Sequence, residues 1–519
     1  MGLQTHRYLN GRSASWYLKL QQSTLSTAKK FAGQTAVYGI STIAGRVLSF
    51  FLTPVYTHAY KTGVYGILTT MFAWASVLNA VMAFGMETTF FRYLNKYPDN
   101  KAKVYNNAFA SVLFITVLFL LLTLPFTGHI ASFIKVGEAS SHSDFERFIV
   151  YFIGILVIDA WCVIPFAKLR AENRPGRYGI IKFVNVIIFI ALNLTFIWVL
   201  PYWTKHQLPG TAWINGWYVK GWVGYVFVSN LISSALTLLL LLPEFIKVRL
   251  KLDWRMLGEM FAYSWPVLVA NLSFIINENL DKILLGQMLP QNVSDHQVGI
   301  YGACAKISLF LSIFIQAFRL GAEPFFFSHA KNKNAGQTYA RIMDYFVIVI
   351  CVIFVGLIAN IEILKYFIQN KSYWVGLPVV PPLVFGYVSL GVYMNLSVWY
   401  KLSDQTKYGL YISGVGAILT IVINVLFIPK YSYMASAWAS LIAYATMMVL
   451  SYVWGQKNYP IPYDLKKNLA YIVSSIVIVY ISFYVFNRNI FVGDALLALF
   501  ILAALYFEFN NLKAIFSRK

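Results

Sequence analysis

Fourteen apolar stretches of helix length follow one another along the chain, and they limit its fold more than any other feature of the sequence. A transmembrane helix needs about 20 apolar residues, whereas a barrel strand needs about ten alternating ones. We therefore predict an all-α polytopic membrane protein with about 14 transmembrane helices. The stretches are 31–59, 64–90, 105–126, 147–167, 178–200, 221–243, 260–288, 298–326, 342–368, 376–400, 408–428, 433–454, 468–486 and 490–508.

The distribution of basic residues predicts the orientation. The net charge of +22 could indicate a nucleic-acid partner, but only 12% of the residues are charged and their positions alternate with the spans. Connections on the side of the amino-terminal tail carry 28 Lys and Arg, and those on the other side carry 8 when Lys365, at the end of the ninth span, is counted with them. Because cytoplasmic loops are enriched in Lys and Arg, we expect both termini to be cytoplasmic, with attraction to anionic lipids and no nucleic-acid partner.

An internal repeat divides the chain. Residues 63–94 (GVYGILTTMFAWASVLNAVMAFGMETTFFRYL) match residues 299–330 (GIYGACAKISLFLSIFIQAFRLGAEPFFFSHA) at an offset of 236 without a gap. The match extends back to Arg46 and Lys282, and it pairs Glu87 with Glu323. An offset of six spans keeps the membrane orientation and predicts two pseudo-symmetric six-helix lobes related by an axis along the membrane normal. Chance similarity of two apolar hairpins is the alternative, and the matched cation and carboxylate argue against it.

The predicted organisation follows from this repeat. Residues 1–30 are a cytoplasmic tail, 31–243 the first lobe, 244–259 a cytoplasmic linker, 260–455 the second lobe, and 456–519 two further spans with a cytoplasmic carboxy terminus. Two lobes around a site near the midplane are typical of transporters.

Cations inside the spans indicate a binding chamber. Arg46, Lys282 and Lys306 have no evident carboxylate at the same depth, since Asp281 is the sequence neighbour of Lys282 and should point elsewhere. Unpaired cations on both lobes would form a wet, positive chamber suited to phosphate or pyrophosphate. Internal pairing of these charges is the competing interpretation.

The remaining membrane charges have other candidate roles. Arg319 lies deeper and could be neutralised by Glu323 four residues on. Glu87 and Glu323 are interpreted as structural carboxylates at the inner end of the repeated hairpin. Asp159, Glu278 and Asp281 are candidates for binding a coupling proton or Na⁺.

Catalytic and metal motifs are lacking in the sequence. There is no G-x-x-x-x-G-K-[ST] loop, no H-E-x-x-H and no disulfide or metal spacing among Cys162, Cys304 and Cys351. We expect no enzymatic activity, no metal and no cofactor apart from a possible H⁺ or Na⁺ coupling ion.

Two stretches resemble the signatures of polysaccharide-biosynthesis flippases. They are GRVLSFFLTPVYTHAYKTGVYGILTTMFAWASVLNAVMAFGMETTFFRYL, with Arg92 near its end, and LDKILLGQMLPQNVSDHQVGIYGACAKISLFLSIFIQAFRLGAEPFFF. The resemblance is to the Wzx-type branch of the multidrug/oligosaccharidyl-lipid/polysaccharide (MOP) superfamily. It implies a MATE-like fold whose cavity cations fall on Arg46 and Lys282, and further on Lys306 and Arg319.

The resemblance also implies a function. Such a protein would move a polyprenyl-pyrophosphate-linked oligosaccharide from the inner to the outer leaflet of the bacterial cytoplasmic membrane by alternating access, for O-antigen, capsule or exopolysaccharide synthesis. Its partners would be this lipid, membrane lipids and possible polysaccharide-assembly proteins. Fourteen spans also suit a lipid II flippase. A drug/cation antiporter of the same fold should have carboxylates in its chamber, and a polymerase or ligase should have a large outer loop.

Overall fold

The structure is a computed structural model. It describes residues 47, 50–134, 140–246, 248, 252–330, 332 and 334–516, without the side chains of 324, 328 and 510–516. Thirteen helices within this part are long and apolar enough to cross a membrane, and no strand occurs in it. The first predicted span, 31–59, lies largely outside the described residues. The expected all-α membrane fold of about 14 spans is confirmed.

The first lobe contains ten described helices. The second predicted span is broken by two left-handed residues, Phe84 (φ 46°) and Gly85 (φ 65°). A Cβ at Gly85 would also lie 3.0 Å from the Ser264 carbonyl oxygen, so glycine suits both the backbone and the contact. The helices are α1 Leu52–Ala59, α2 Thr62–Ala83, α3 Met86–Lys96, α4 Lys101–Thr123, α5 Thr127–Ile134, α6 His142–Ala171, α7 Pro175–Leu194, α8 Leu200–Lys205, α9 Thr211–Asn215 and α10 Gly224–Phe245.

The second lobe and the carboxy-terminal pair supply the other ten described helices. A 3₁₀ segment, Lys371–Val379, leads into the tenth span, where Pro378 lies. Helix α12 continues through Gly321, the counterpart of Gly85, so only the first repeat is broken at this glycine. The helices are α11 Trp254–Met288, α12 Gln291–His329, α13 Ala335–Ala359, α14 Ile361–Leu364, α15 Val380–Leu396, α16 Val398–Leu402, α17 Lys407–Tyr431, α18 Tyr433–Asn458, α19 Leu465–Tyr480 and α20 Ile490–Phe516.

The seventh span, α11, connects the lobes. Asp253 caps its first turn, because its Oδ1 accepts hydrogen bonds from the backbone N–H groups of Arg255 and Met256. Met256 and Met260 pack in a core cluster with residues of α2, α3, α4 and α6. Further along, the Asn277 amide donates to the Ser413 carbonyl of α17 at 3.2 Å. One continuous helix therefore packs in the first lobe at its start and in the second lobe towards its end.

Candidate functional site: a cavity between the two repeats

The two copies of the repeat pack against each other through α2 and α12. A cavity of about 570 Å³ lies beside this contact, with walls from both lobes. Side chains of α2 reach it at three- and four-residue spacing, which places them on one helix face. The cavity is lined by Thr53, Tyr56, Tyr65, Leu68, Thr69, Phe72, Ala73, Ser76, Asn185, Val186, Phe189, Asn230, Asn279, Lys282, Gly302 and Lys306.

Lys282 lies on the second-lobe wall and has fixed partners. Its Nζ donates to Asp281 Oδ1 and to the Glu278 carbonyl oxygen, both at 2.8 Å. Asp281 is 2% exposed, and its Oδ2 accepts from the Tyr301 hydroxyl at 2.5 Å. The expectation that Asp281 and Lys282 would not pair is therefore wrong. The long lysine side chain folds back towards its own helix, so adjacent residues meet although their Cβ atoms diverge.

Lys306 lies on α12 and also lines the cavity. Within the part of the chain that the structure describes, no carboxylate lies within ion-pair distance of its ammonium. An ammonium at this depth needs water or an anion as a partner. Among the described lining residues, Lys282 and Lys306 are the charged ones, and no Asp or Glu occurs there.

The other predicted cations are not part of this described wall. Arg46 lies outside the described residues. Arg319 is placed in a separate small pocket, where its Nε is 3.7 Å from Glu323 Oε2. The possible pairing of Arg319 with Glu323 is thus seen, and Lys401 Nζ approaches the other Glu323 oxygen at 2.7 Å.

The two repeat carboxylates occupy equivalent positions. Glu87 pairs with Arg170, at the end of the fourth span. Glu323 pairs with Lys401, at the end of the tenth span, which is the fourth of the second lobe. Each carboxylate thus ties the end of the second span of its lobe to the end of the fourth, in keeping with a structural role.

The candidate ion-coupling carboxylates do not form one site. Asp159 lies within the first lobe and accepts a hydrogen bond from Ser234 Oγ at 2.7 Å. Asp281 and Glu278 lie together on α11 in the second lobe, near the two cavity lysines. Their coupling role stays a prediction.

At one end of the inter-lobe contact, which we call the closed end, glycines let the backbones of α2 and α12 approach each other closely. A Cβ at Gly299 would lie 1.8 Å from the Thr62 carbonyl oxygen, and one at Gly66 would lie 1.9 Å from the Asp295 carbonyl oxygen. The hydroxyl of Thr62 also contacts His296 Nδ1. This end of the bundle is the one that the basic residues predict to face outside.

A buried cluster around Glu244 was not anticipated from the sequence. Glu244 is fully buried, and its carboxylate contacts Lys168 at 2.8 Å, Arg177 at 3.1 Å and Arg174 at 3.3 Å. All four residues fall in the predicted inner connections 168–177 and 244–259, and that shared side was the signal available.

Comparison with known families agrees with this architecture. A family model described as polysaccharide biosynthesis protein matches residues 31–322, more than half of the chain. The chain belongs to the polysaccharide biosynthesis protein family. A second model, MatE, matches residues 266–426 of this family member, which places it in the MOP superfamily of membrane flippases and transporters. The resemblance stated from the sequence is confirmed.

Solved structures show the same fold. The polysaccharide biosynthesis family member is similar to a structure titled "Lipid II flippase MurJ, inward closed conformation", with a TM-score of 0.70 and 14% identity over 92% of this chain and 100% of that one. It is similar to an inward-facing multidrug resistance MATE transporter of the MOP superfamily, with a TM-score of 0.61 and 11% identity over 82% and 94%. No curated protein matches the chain.

Proposed function

We propose that this family member moves a polyprenyl-pyrophosphate-linked oligosaccharide from the inner to the outer leaflet of the bacterial cytoplasmic membrane by alternating access, with both termini cytoplasmic. The observation that carries the proposal is the inter-lobe cavity, in which Lys282 and Lys306 are the charged residues of the described wall. Ammonium groups bind phosphate oxygens by charge-assisted hydrogen bonds.

The two lysines contribute differently. Lys282 is oriented by Asp281 and the Glu278 carbonyl, so it is held in place before an anion arrives. Lys306 has no ion-pair partner among the described residues, so it gains most from an arriving pyrophosphate. Arg46 is the repeat counterpart of Lys282 and is proposed to add a third cation from the first lobe.

The energy source is proposed to be the membrane potential, negative inside. It favours outward movement of an anionic group by about 2.3 kcal/mol per charge per 100 mV. An inward H⁺ or Na⁺ could be coupled at Asp159, Glu278 or Asp281. The sugars would occupy the cavity while the prenyl chain stays in lipid.

The test is leaflet exposure of a polyprenyl-pyrophosphate glycan in proteoliposomes. Lys306→Gln and Lys282→Gln should each slow flipping by roughly tenfold or more, since each loses a hydrogen bond to a charged group. Lys182→Gln is the matched control, because Lys182 also lies in a span, against the Phe166 ring, but does not line the cavity. Full-rate flipping by both cavity variants would refute the proposal.

Two alternatives within the superfamily give different outcomes. A lipid II flippase would move lipid II faster than the glycan carrier in the same vesicles. A drug/cation antiporter would expel cationic dyes, but it should have acidic residues in its chamber, and none occurs among the described lining residues.

A further inference from the structure

The polar side chains of the cavity wall differ in whether they already form hydrogen bonds within the protein. Ser76 Oγ donates to the Phe72 carbonyl at 2.9 Å, and Thr69 Oγ1 donates to the Tyr65 carbonyl at 3.0 Å. The Asn185 amide donates to Thr237 Oγ1 at 2.9 Å. Each of these groups already uses one donor within the protein, so the two hydroxyls can only accept from a ligand and the Asn185 amide has one N–H and its Oδ1 left.

Asn230 of α10 and Asn279 of α11 are different. Both line the cavity, and no hydrogen bond to another described residue engages either side-chain amide. An amide carries two donors and one acceptor, and leaving them without partners inside a membrane protein costs free energy. One amide comes from each lobe, so a ligand between the lobes can reach both.

We propose that Asn230 and Asn279 form a neutral subsite that recognises the sugar next to the pyrophosphate. This inference rests on the proposed function and adds that neutral and charged side chains recognise different parts of the carrier. Hydroxyl groups donate and accept hydrogen bonds, as amides do, whereas the lysines can only donate. Asn279 lies one helical turn from Lys282 on α11, which suits a sugar joined directly to the phosphate. Phe72 and Phe189 add apolar surface to the same cavity.

The test compares carriers that differ only in the head group. The probes are bare polyprenyl pyrophosphate and the same carrier bearing one hexose, one deoxyhexose or one N-acetylhexosamine, bound to the full-length protein in nanodiscs. Asn230→Leu and Asn279→Leu keep the branched shape and the number of side-chain heavy atoms and remove the amide. Each should weaken binding of at least one glycosylated carrier roughly two- to tenfold, the range of a single neutral hydrogen bond, and leave the bare carrier unchanged.

Controls separate this inference from the proposed function. Ser229→Ala should change neither class of carrier, because Ser229, next to Asn230 on α10, does not line the cavity and its hydroxyl donates to the Tyr225 carbonyl. Lys306→Gln should weaken all carriers alike. If the asparagine variants weaken bare and glycosylated carriers equally, or weaken neither, the sugar subsite is refuted. If only the lysine variant has no effect, the pyrophosphate assignment fails while the sugar subsite stands.

Discussion

Asp281 holds one lysine of the cavity wall, Lys282, in position. Its carboxylate is buried behind Lys282 and receives hydrogen bonds from the Lys282 ammonium, the Lys282 backbone N–H and the Tyr301 hydroxyl. A buried carboxylate with three donors is well stabilised, and breaking such a pair leaves the remaining charge uncompensated. Asp281 therefore positions Lys282 rather than facing the ligand itself.

Replacing this carboxylate tests its role. Asp281→Asn should destabilise the protein by about 1–3 kcal/mol, since a charged hydrogen-bond partner of Lys282 is lost. The measurement is the unfolding midpoint of the detergent-solubilised protein. Tyr301→Phe is the control that removes one donor and leaves the ion pair, so a smaller shift is expected. An unchanged midpoint in Asp281→Asn would show that the pair does not stabilise the wall.

Glu244 supports the ends of three helices through its three basic neighbours. Glu244→Gln leaves Lys168, Arg174 and Arg177 close together without their shared carboxylate, so we expect a loss of about 3 kcal/mol in the free energy of unfolding. Glu172→Gln is the matched control, because Glu172 meets Lys168 and Arg174 from the surface and should cost under about 1 kcal/mol. Equal losses in the two variants would contradict this assignment.

Among the described helices, α2 and α12 make the most extensive contact between the lobes. Gly299→Ala places a methyl group 1.8 Å from the Thr62 carbonyl oxygen. Because the two helices cannot keep their present separation with this methyl group between them, the closed end should open. We expect a larger spin–spin distance across this end by double electron–electron resonance. Gly321→Ala is the matched control on the same helix, since a Cβ there meets nothing within 4 Å. Identical distances in the two variants would exclude a role for the glycine crossing.

Asp253 stabilises the first turn of helix α11. Lys103 hydrogen-bonds to this carboxyl, and with the backbone N–H of Met256 it lowers the pKa of Asp253 below its ordinary value of 3.8. A lowered pKa gives stability that is present above that value and is lost as the pH falls through the folded-state pKa.

The variant Asp253→Asn isolates the charge, because asparagine still caps a helix. We expect its unfolding temperature to lie below that of the wild type at neutral pH, and the two temperatures to converge below about pH 4. A difference that persists in acid would show that the ion pair with Lys103 is not its cause.

At the scale of the whole molecule, the sequence predicts the spans and the repeat because both produce regular patterns along the chain. The glycines at the contact of the repeats, Gly66 and Gly299, also lie within the two matched stretches. Side-chain pairing was predictable only where the spacing along a helix indicated it, as for Arg319 and Glu323. Asp281 and Lys282 meet through rotamers, and Asn230 has no sequence signal that separates it from other membrane asparagines. Gly85 lies against Ser264 and Val267 of α11, whereas a Cβ at Gly321 would meet nothing within 4 Å, so the two equivalent glycines have different surroundings that the sequence does not show.

The lobes are joined in two ways, by a continuous helix and by side-chain contacts at the closed end. Helix α11 crosses from one core to the other without a break, so it links the lobes permanently. The closed end instead depends on contacts that can separate: Thr62 with His296, and the Tyr373 hydroxyl, which donates to the Tyr60 carbonyl at 2.9 Å. If transport requires this end to open, a covalent link there should stop it.

A cysteine pair provides that link. Thr62→Cys with His296→Cys replaces two side chains in direct contact, and the described native cysteines are buried and should not compete. We expect oxidation to form a disulfide and to reduce flipping to the background rate, and a reductant to restore it. Each single-cysteine variant should flip equally well in both conditions. Normal flipping by the oxidised, cross-linked protein would show that the lobes need not part at this end, and alternating access through the cavity would then be ruled out.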